Sequence, residues 1–136
     1  MSKRHEKHRE RAGQLSNMGK YLARRAGSCC ELCLHCSVAL SPWEVPPLQA
    51  EPDPDRTIFV CDICRQQLEQ PKKIDVNHWH CLHKSVWSKV PAVQVIGVAM
   101  LHKLKDEDWA QELLEQLYLE PEVSEWVEQA LAEAWS

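Results

Sequence analysis

Two cysteine pairs, Cys30-Glu31-Leu32-Cys33 and Cys61-Asp62-Ile63-Cys64, stand 27 residues apart in a chain of 136. A C-x-x-C segment forms a tight knuckle that points two sulfurs at one ion, and Zn²⁺ takes four such ligands at about 2.3 Å in a tetrahedron. Cys30, Cys33, Cys61 and Cys64 are therefore the candidate ligands of one structural Zn²⁺. Four thiolates close the coordination sphere, so the spacing predicts a metal-stapled fold rather than a catalyst. In small peptides such a site contributes on the order of 10 kcal/mol or more to folding. Loss of one ligand is expected to unfold at least this half of the chain.

Other ligand spacings overlap the first pair. Cys30, Cys33 and Cys36 read C-x₂-C-x₂-C, as in some iron–sulfur proteins, and Cys29, Cys33 and Cys36 read C-x₃-C-x₂-C, which resembles the radical-SAM cluster motif. A radical-SAM barrel needs far more chain. Cys29 and Cys36 read more simply as spare thiols, or as alternative ligands that exchange under oxidation. A second constellation, Asn77-His78-Trp79-His80-Cys81-Leu82-His83, packs three His and a Cys into six positions. On a helix His78 and Cys81 share one face, as do His80 and His83, so the four do not converge on one ion. His83 falls beside an apolar stripe and reads as a hydrogen-bonded core residue. Cys81 has a His neighbour but no orienting third group, so it too reads as structural.

The elements that must position these residues are legible in outline. A basic flexible arm is expected over 1–14, with residues 1–13 frayed, a zinc-binding module over 15–75 and a helical bundle over 76–136, packed as a single unit. A short helix is predicted over Leu15–Arg25, with Leu15, Met18 and Leu22 on one face and Gly27 near its C-cap. Val38-Ala39-Leu40 and Trp43-Glu44-Val45 suggest a hairpin about Ser41-Pro42, and Pro46, Pro47, Pro52 and Pro54 mark an extended loop. Thr57-Ile58-Phe59-Val60 is strand-prone and leads into the second knuckle, and Arg65–Glu69 should be helical and stop before Pro71.

Beyond it the apolar residues take helical spacing. Trp79, Leu82, Val86, Trp87 and Val90 form one stripe, and Pro91 opens a helix carrying Val93, Ile96, Met100, Leu101 and Leu104. Asp106 is a candidate N-cap for a helix with Trp109, Leu113, Leu114, Leu117 and Tyr118 on one face. Pro121 starts the last helix, with Val123, Trp126, Val127, Ala130 and Leu131 facing inward. The fold class expected is mainly α with a small β-hairpin zinc module: a treble-clef or zinc-ribbon-like Cys₄ site followed by a helical bundle. The Trp residues are expected mostly in the core.

The formal net charge of −4 conceals a gradient. Residues 1–28 carry eight Lys or Arg against two Glu, whereas residues 106–136 carry ten Asp or Glu and no Lys or Arg. The basic end is a possible nucleic-acid contact and the acidic helices a possible protein contact, set against the plainer reading of solvated faces. The charged N-terminus has no apolar signal core, and no run of about 18 apolar residues exists, so no membrane association and a reducing cytoplasmic location are expected.

A treble clef is also the frame of HNH nucleases, which need a His base on the hairpin and further His or Asn for a divalent metal. Trp43-Glu44-Val45-Pro46-Pro47 and Arg65-Gln66-Gln67 supply none, so a degenerate, noncatalytic nucleic-acid module is the form that this alternative takes. A thiol-redox or metal-handling protein using Cys29, Cys36 or Cys81 is the other.

Taken together, Ser28–Cys33, Trp43–Pro47, Val60–Arg65, Asn77–Leu82, Trp87–Val95 and Glu112–Leu119 resemble the PhnA-type zinc-ribbon family, named for association with an alkylphosphonate-use operon. The resemblance spans roughly residues 22–119 and implies Zn²⁺ on Cys30, Cys33, Cys61 and Cys64. Longer members carry a C-terminal SH3-like domain, which this chain is expected to lack. Phosphonate hydrolysis is not implied, because it calls for a two-metal site rich in Asp and His with open positions.

Overall fold

Seven α-helices and one two-stranded sheet make up the regular structure of the described residues. The computed structural model describes residues 3–70, 72 and 74–134. Helices α1 (Lys3–Asn17) and α2 (Gly19–Ala26) precede strands β1 (Leu40–Glu44) and β2 (Thr57–Cys61), and α3 (Asp62–Glu69) follows directly. A 3₁₀ turn, His78–Cys81, runs into the short α4 (Leu82–Ser85). Then come α5 (Pro91–Lys103), α6 (Asp108–Gln116) and α7 (Pro121–Ala134). None of the helices is long and apolar enough to cross a membrane.

The N-terminal charge run is helical from Lys3 rather than frayed. It is rich in Lys, Arg, Glu, Gln, Ala and Leu, all good helix formers, and Arg11 ties it down. That guanidinium donates to both Glu44 carboxylate oxygens, at 2.8 and 2.6 Å, and to the carbonyls of Gln49 and Ala50. The helix expected over 15–25 is thus split between α1 and α2 at Met18. Gly27 does end α2, at φ 64°, a left-handed conformation that glycine adopts without steric cost.

The hairpin differs from the one expected. Val38 and Ala39 lie outside the sheet, and Ser41-Pro42 sits within β1 rather than at a turn. β1 pairs antiparallel with β2 in the register Leu40↔Cys61, Pro42↔Phe59, Glu44↔Thr57. In a two-stranded sheet each strand has an open edge, where a proline lacking an N–H is tolerated. All five residues of β2 are buried.

The bundle is built around α5. Ala92, Val93 and every residue from Val95 to Leu101 are buried, so this helix is covered on almost all sides instead of presenting one stripe. α4, α6 and α7 pack on it. The Val86 side chain crosses α5 at Gly97, where an added Cβ would come within 3.1 Å of Val86 Cγ1. The single helix suggested by the Trp79–Val90 stripe is instead a 3₁₀ turn, the four-residue α4 and an irregular link. Trp79, Leu82 and Val86 are buried, but Trp87 is 51% exposed. Tyr118, past the end of α6, is 81% exposed, and Glu107 rather than Asp106 occupies the N-cap. One hydrophobic cluster runs from Cys30 and Leu32 through β2, Trp79 and α5 to Val127 and Ala130.

Candidate metal centre

The first knuckle is a tight loop whose backbone folds around its own sulfur. The Cys30 amide donates to the His35 carbonyl and the Leu34 amide to the Cys30 carbonyl, both at 2.9 Å. The Cys33 amide points at Cys30 Sγ, 3.4 Å away. Between the two cysteines, Glu31 anchors the loop. Its amide donates to the Phe59 carbonyl, its Oε1 accepts from the Phe59 amide at 2.8 Å, and Arg25 clamps both oxygens at 3.0 and 2.7 Å. Arg25 also donates to the carbonyls of Pro54 and Thr57. A buried ion pair therefore fixes α2, the knuckle and β2 to one another.

The second knuckle spans a strand end and a helix start. Cys61 closes β2 and caps α3, and Cys64 lies in the first turn of that helix. There the helix dipole favours a thiolate.

These elements bring Cys30, Cys33, Cys61 and Cys64 together, with all four sulfurs within 4.8 Å of one another. Cys30 Sγ is 3.7 Å from Cys64 Sγ, and Cys33 Sγ is 3.6 Å from Cys61 Sγ. A tetrahedron with metal–sulfur bonds of about 2.3 Å has edges of about 3.8 Å. The four cysteines are thus arranged to hold one metal ion. Cys30 and Cys64 are fully buried, and Cys33 is partly open to solvent.

Crowding separates the acidities of these thiols. Hydrogen-bonding contacts with Cys33 and Cys64 hold Cys30 far below the ordinary thiol range. The same contacts push Cys33 up to about 12 and raise Cys64 strongly. Metal binding must then displace protons from the raised thiols.

Comparison with family models, curated proteins and solved structures finds no match.

His78 reaches the cluster, which its spacing from Cys81 does not reveal. Its Nε2 lies 3.1 Å from Cys64 Sγ. The 3₁₀ turn that delivers it is docked by Gln67 of α3, whose Oε1 accepts from the Asp75 amide and from Trp79 Nε1. Burial lowers the His78 pKa, which keeps the ring neutral. A cleft of about 500 Å³ opens beside the sulfurs, lined by Cys33, Cys61, His35, Ile63, His78 and Cys81. Burial pushes the Cys81 thiol up to about 12. A thiol that stays protonated is a poor nucleophile.

The remaining candidates lie elsewhere. His80 and His83 stack on each other at 5.8 Å and both pack against Trp109. Both rings are exposed, so His83 is not the core residue that its position on the stripe suggests. Cys29 and Cys36 face each other across the base of the first knuckle and form a disulfide. They are not spare thiols, and the pairing removes one or both of them from each three-cysteine iron–sulfur spacing.

Proposed function

We propose that the protein is a noncatalytic zinc-binding module of the PhnA type, with a treble-clef-like Cys₄ site, that serves as an interaction platform. The sulfur spacing carries this reading, because edges of 3.6 and 3.7 Å suit a tetrahedral Zn²⁺ with no further donor. A filled tetrahedron has no position for substrate or water. The platform role is supported by apolar side chains left exposed around the two knuckles: Leu34 at 45%, Val38 at 37% and Ile63 at 58%. Exposed apolar groups that cluster beside a rigid metal site suit a protein partner. The nucleic-acid alternative loses two of its cations to internal pairs, Arg11 with Glu44 and Arg25 with Glu31.

Metal analysis of anaerobically purified protein tests the proposal. One zinc per chain, no visible absorbance and loss of the metal in Cys61→Ser are the expected results. Iron with a broad visible band would overturn it.

A further inference from the structure

The Cys29–Cys36 disulfide encloses half of the candidate ligand set. Its ends are seven residues apart, and both Cys30 and Cys33 lie inside the loop that it closes. The two halves of that loop are held differently. Glu31 and Arg25 fasten the first half to β2, whereas residues 34–37 are exposed. The return of the chain also uses unfavourable backbone. Ser28, Leu34 and Ser37 take φ of 59°, 66° and 61°, left-handed values that a Cβ disfavours. Alongside two backbone hydrogen bonds across the loop, the disulfide therefore restrains the segment that presents Cys33 to Cys61, 3.6 Å away between sulfurs.

The bond is also within reach of solvent, since Cys36 is exposed and Cys29 partly so. A dithiol reductant can open it. One thiolate attacks the exposed Cys36 sulfur, and Cys29 leaves with the bonding electron pair and takes up a proton. The second thiol of the reductant then displaces Cys36, so two electrons and two protons pass to the protein and the reductant ends as its own disulfide. None of the four ligand cysteines is consumed. In the opened loop, however, metal binding has to order a chain that the cross-link had already restricted.

We infer that Cys29–Cys36 is a redox gate on the metal site, which holds the ion tightly when the loop is oxidised and releases it more readily when the loop is reduced. The inference rests on the four-cysteine metal reading. By linkage, bound metal favours the disulfide by the same factor. Zinc affinity is measured anaerobically, by competition with a chromogenic chelator, on three forms of the full chain: oxidised, reduced with dithiothreitol that is then removed by gel filtration, and Cys29→Ser/Cys36→Ser. Restriction of a loop this short is worth about 10- to 50-fold, so the oxidised form should bind tighter than the other two by that factor. The double variant lacks the cross-link without adding two competing thiols, and the reduced parent keeps the native sequence if the variant folds poorly. Affinities within about twofold of one another in folded forms, or tighter binding after reduction, would overturn the gate and leave the metal site standing. Cys29 and Cys36 found by mass spectrometry as free thiols, after the metal-loaded chain is equilibrated with oxidised glutathione, would overturn it as well. An oxidised chain that binds no zinc would overturn the site reading itself and the gate with it.

Discussion

Replacing His78 with Phe tests whether the imidazole serves the metal as a hydrogen-bond donor. A metal-bound thiolate only accepts, so the 3.1 Å contact to Cys64 Sγ places the proton on Nε2. Four thiolates around Zn²⁺ leave a net charge of −2, and Cys64 is fully buried, so donors to sulfur carry much of its stabilisation. Phenylalanine keeps the ring and its edge-on contact with Trp79, now 5.1 Å between centroids, and deletes only the donor. Loss of such an outer donor costs about 10- to 100-fold in metal affinity. That range corresponds to about 1.4–2.7 kcal/mol. Competition against a chromogenic chelator measures it directly, and His78→Gln, which retains an N–H, should recover part of the loss. In the cobalt-substituted protein the tetrahedral four-sulfur spectrum should persist in the Phe variant. An affinity within about twofold of the parent would refute the argument. A cobalt spectrum with an altered ligand set would show instead that His78 binds the metal itself.

Zinc binding at pH 7 should release at least the protons of Cys33 and Cys64, the two thiols raised by their contacts with Cys30, so affinity should fall as pH falls. Calorimetry in buffers of different ionisation enthalpy counts those protons, and fewer than about two would contradict the arrangement. Arg25→Met leaves the buried Glu31 carboxylate without its counterion and should cost about 3–5 kcal/mol in urea unfolding of the metal-loaded protein. A cost below about 1 kcal/mol would mean that the pair does not hold the knuckle to β2. Gly97→Ala brings a Cβ to 3.1 Å from Val86 Cγ1. Overpacking of about 1–3 kcal/mol should then exceed a helix-propensity gain of about 1 kcal/mol. A net increase in thermal stability would show that Val86 moves aside freely.

What could be read from the sequence divides along local and nonlocal lines. The cysteine pairs were legible because a knuckle is set by the spacing of adjacent residues, and β2 because Thr57–Val60 is a β-branched and aromatic run. Which segment pairs with β2 is a nonlocal question. The turn-like Ser41-Pro42 misdirected it, since an edge strand tolerates proline. The all-round burial of α5 had a signal in Ala92, Val95, Val98 and Ala99, apolar on the side away from the predicted stripe. His78 lies 14 residues beyond Cys64, and its approach depends on how Gln67 docks the 3₁₀ turn, which no periodicity encodes. The Cys29–Cys36 pairing follows from the antiparallel closure of the knuckle, so it emerges only once that loop is built.

The placement of the sulfurs also bears on how far a metal's influence extends. Cys30, Cys61 and Cys64 belong to the same hydrophobic cluster as Trp79, Leu82, Ile96 and Val127, so the centre is part of the core and not a clip on its rim. Four thiols held within 4.8 Å tolerate at most partial ionisation without a cation, and each buried sulfur left unpaired has no water to turn to. A metal ion removes that conflict at the point where α2, β2, α3 and the His78 turn meet. Trp79 and Leu82 belong to the same cluster as the buried face of α5, on which β2 also packs. Ordering of the knuckles and packing of the helical bundle share one continuous core, so a metal ion bound by the four cysteines would act on both.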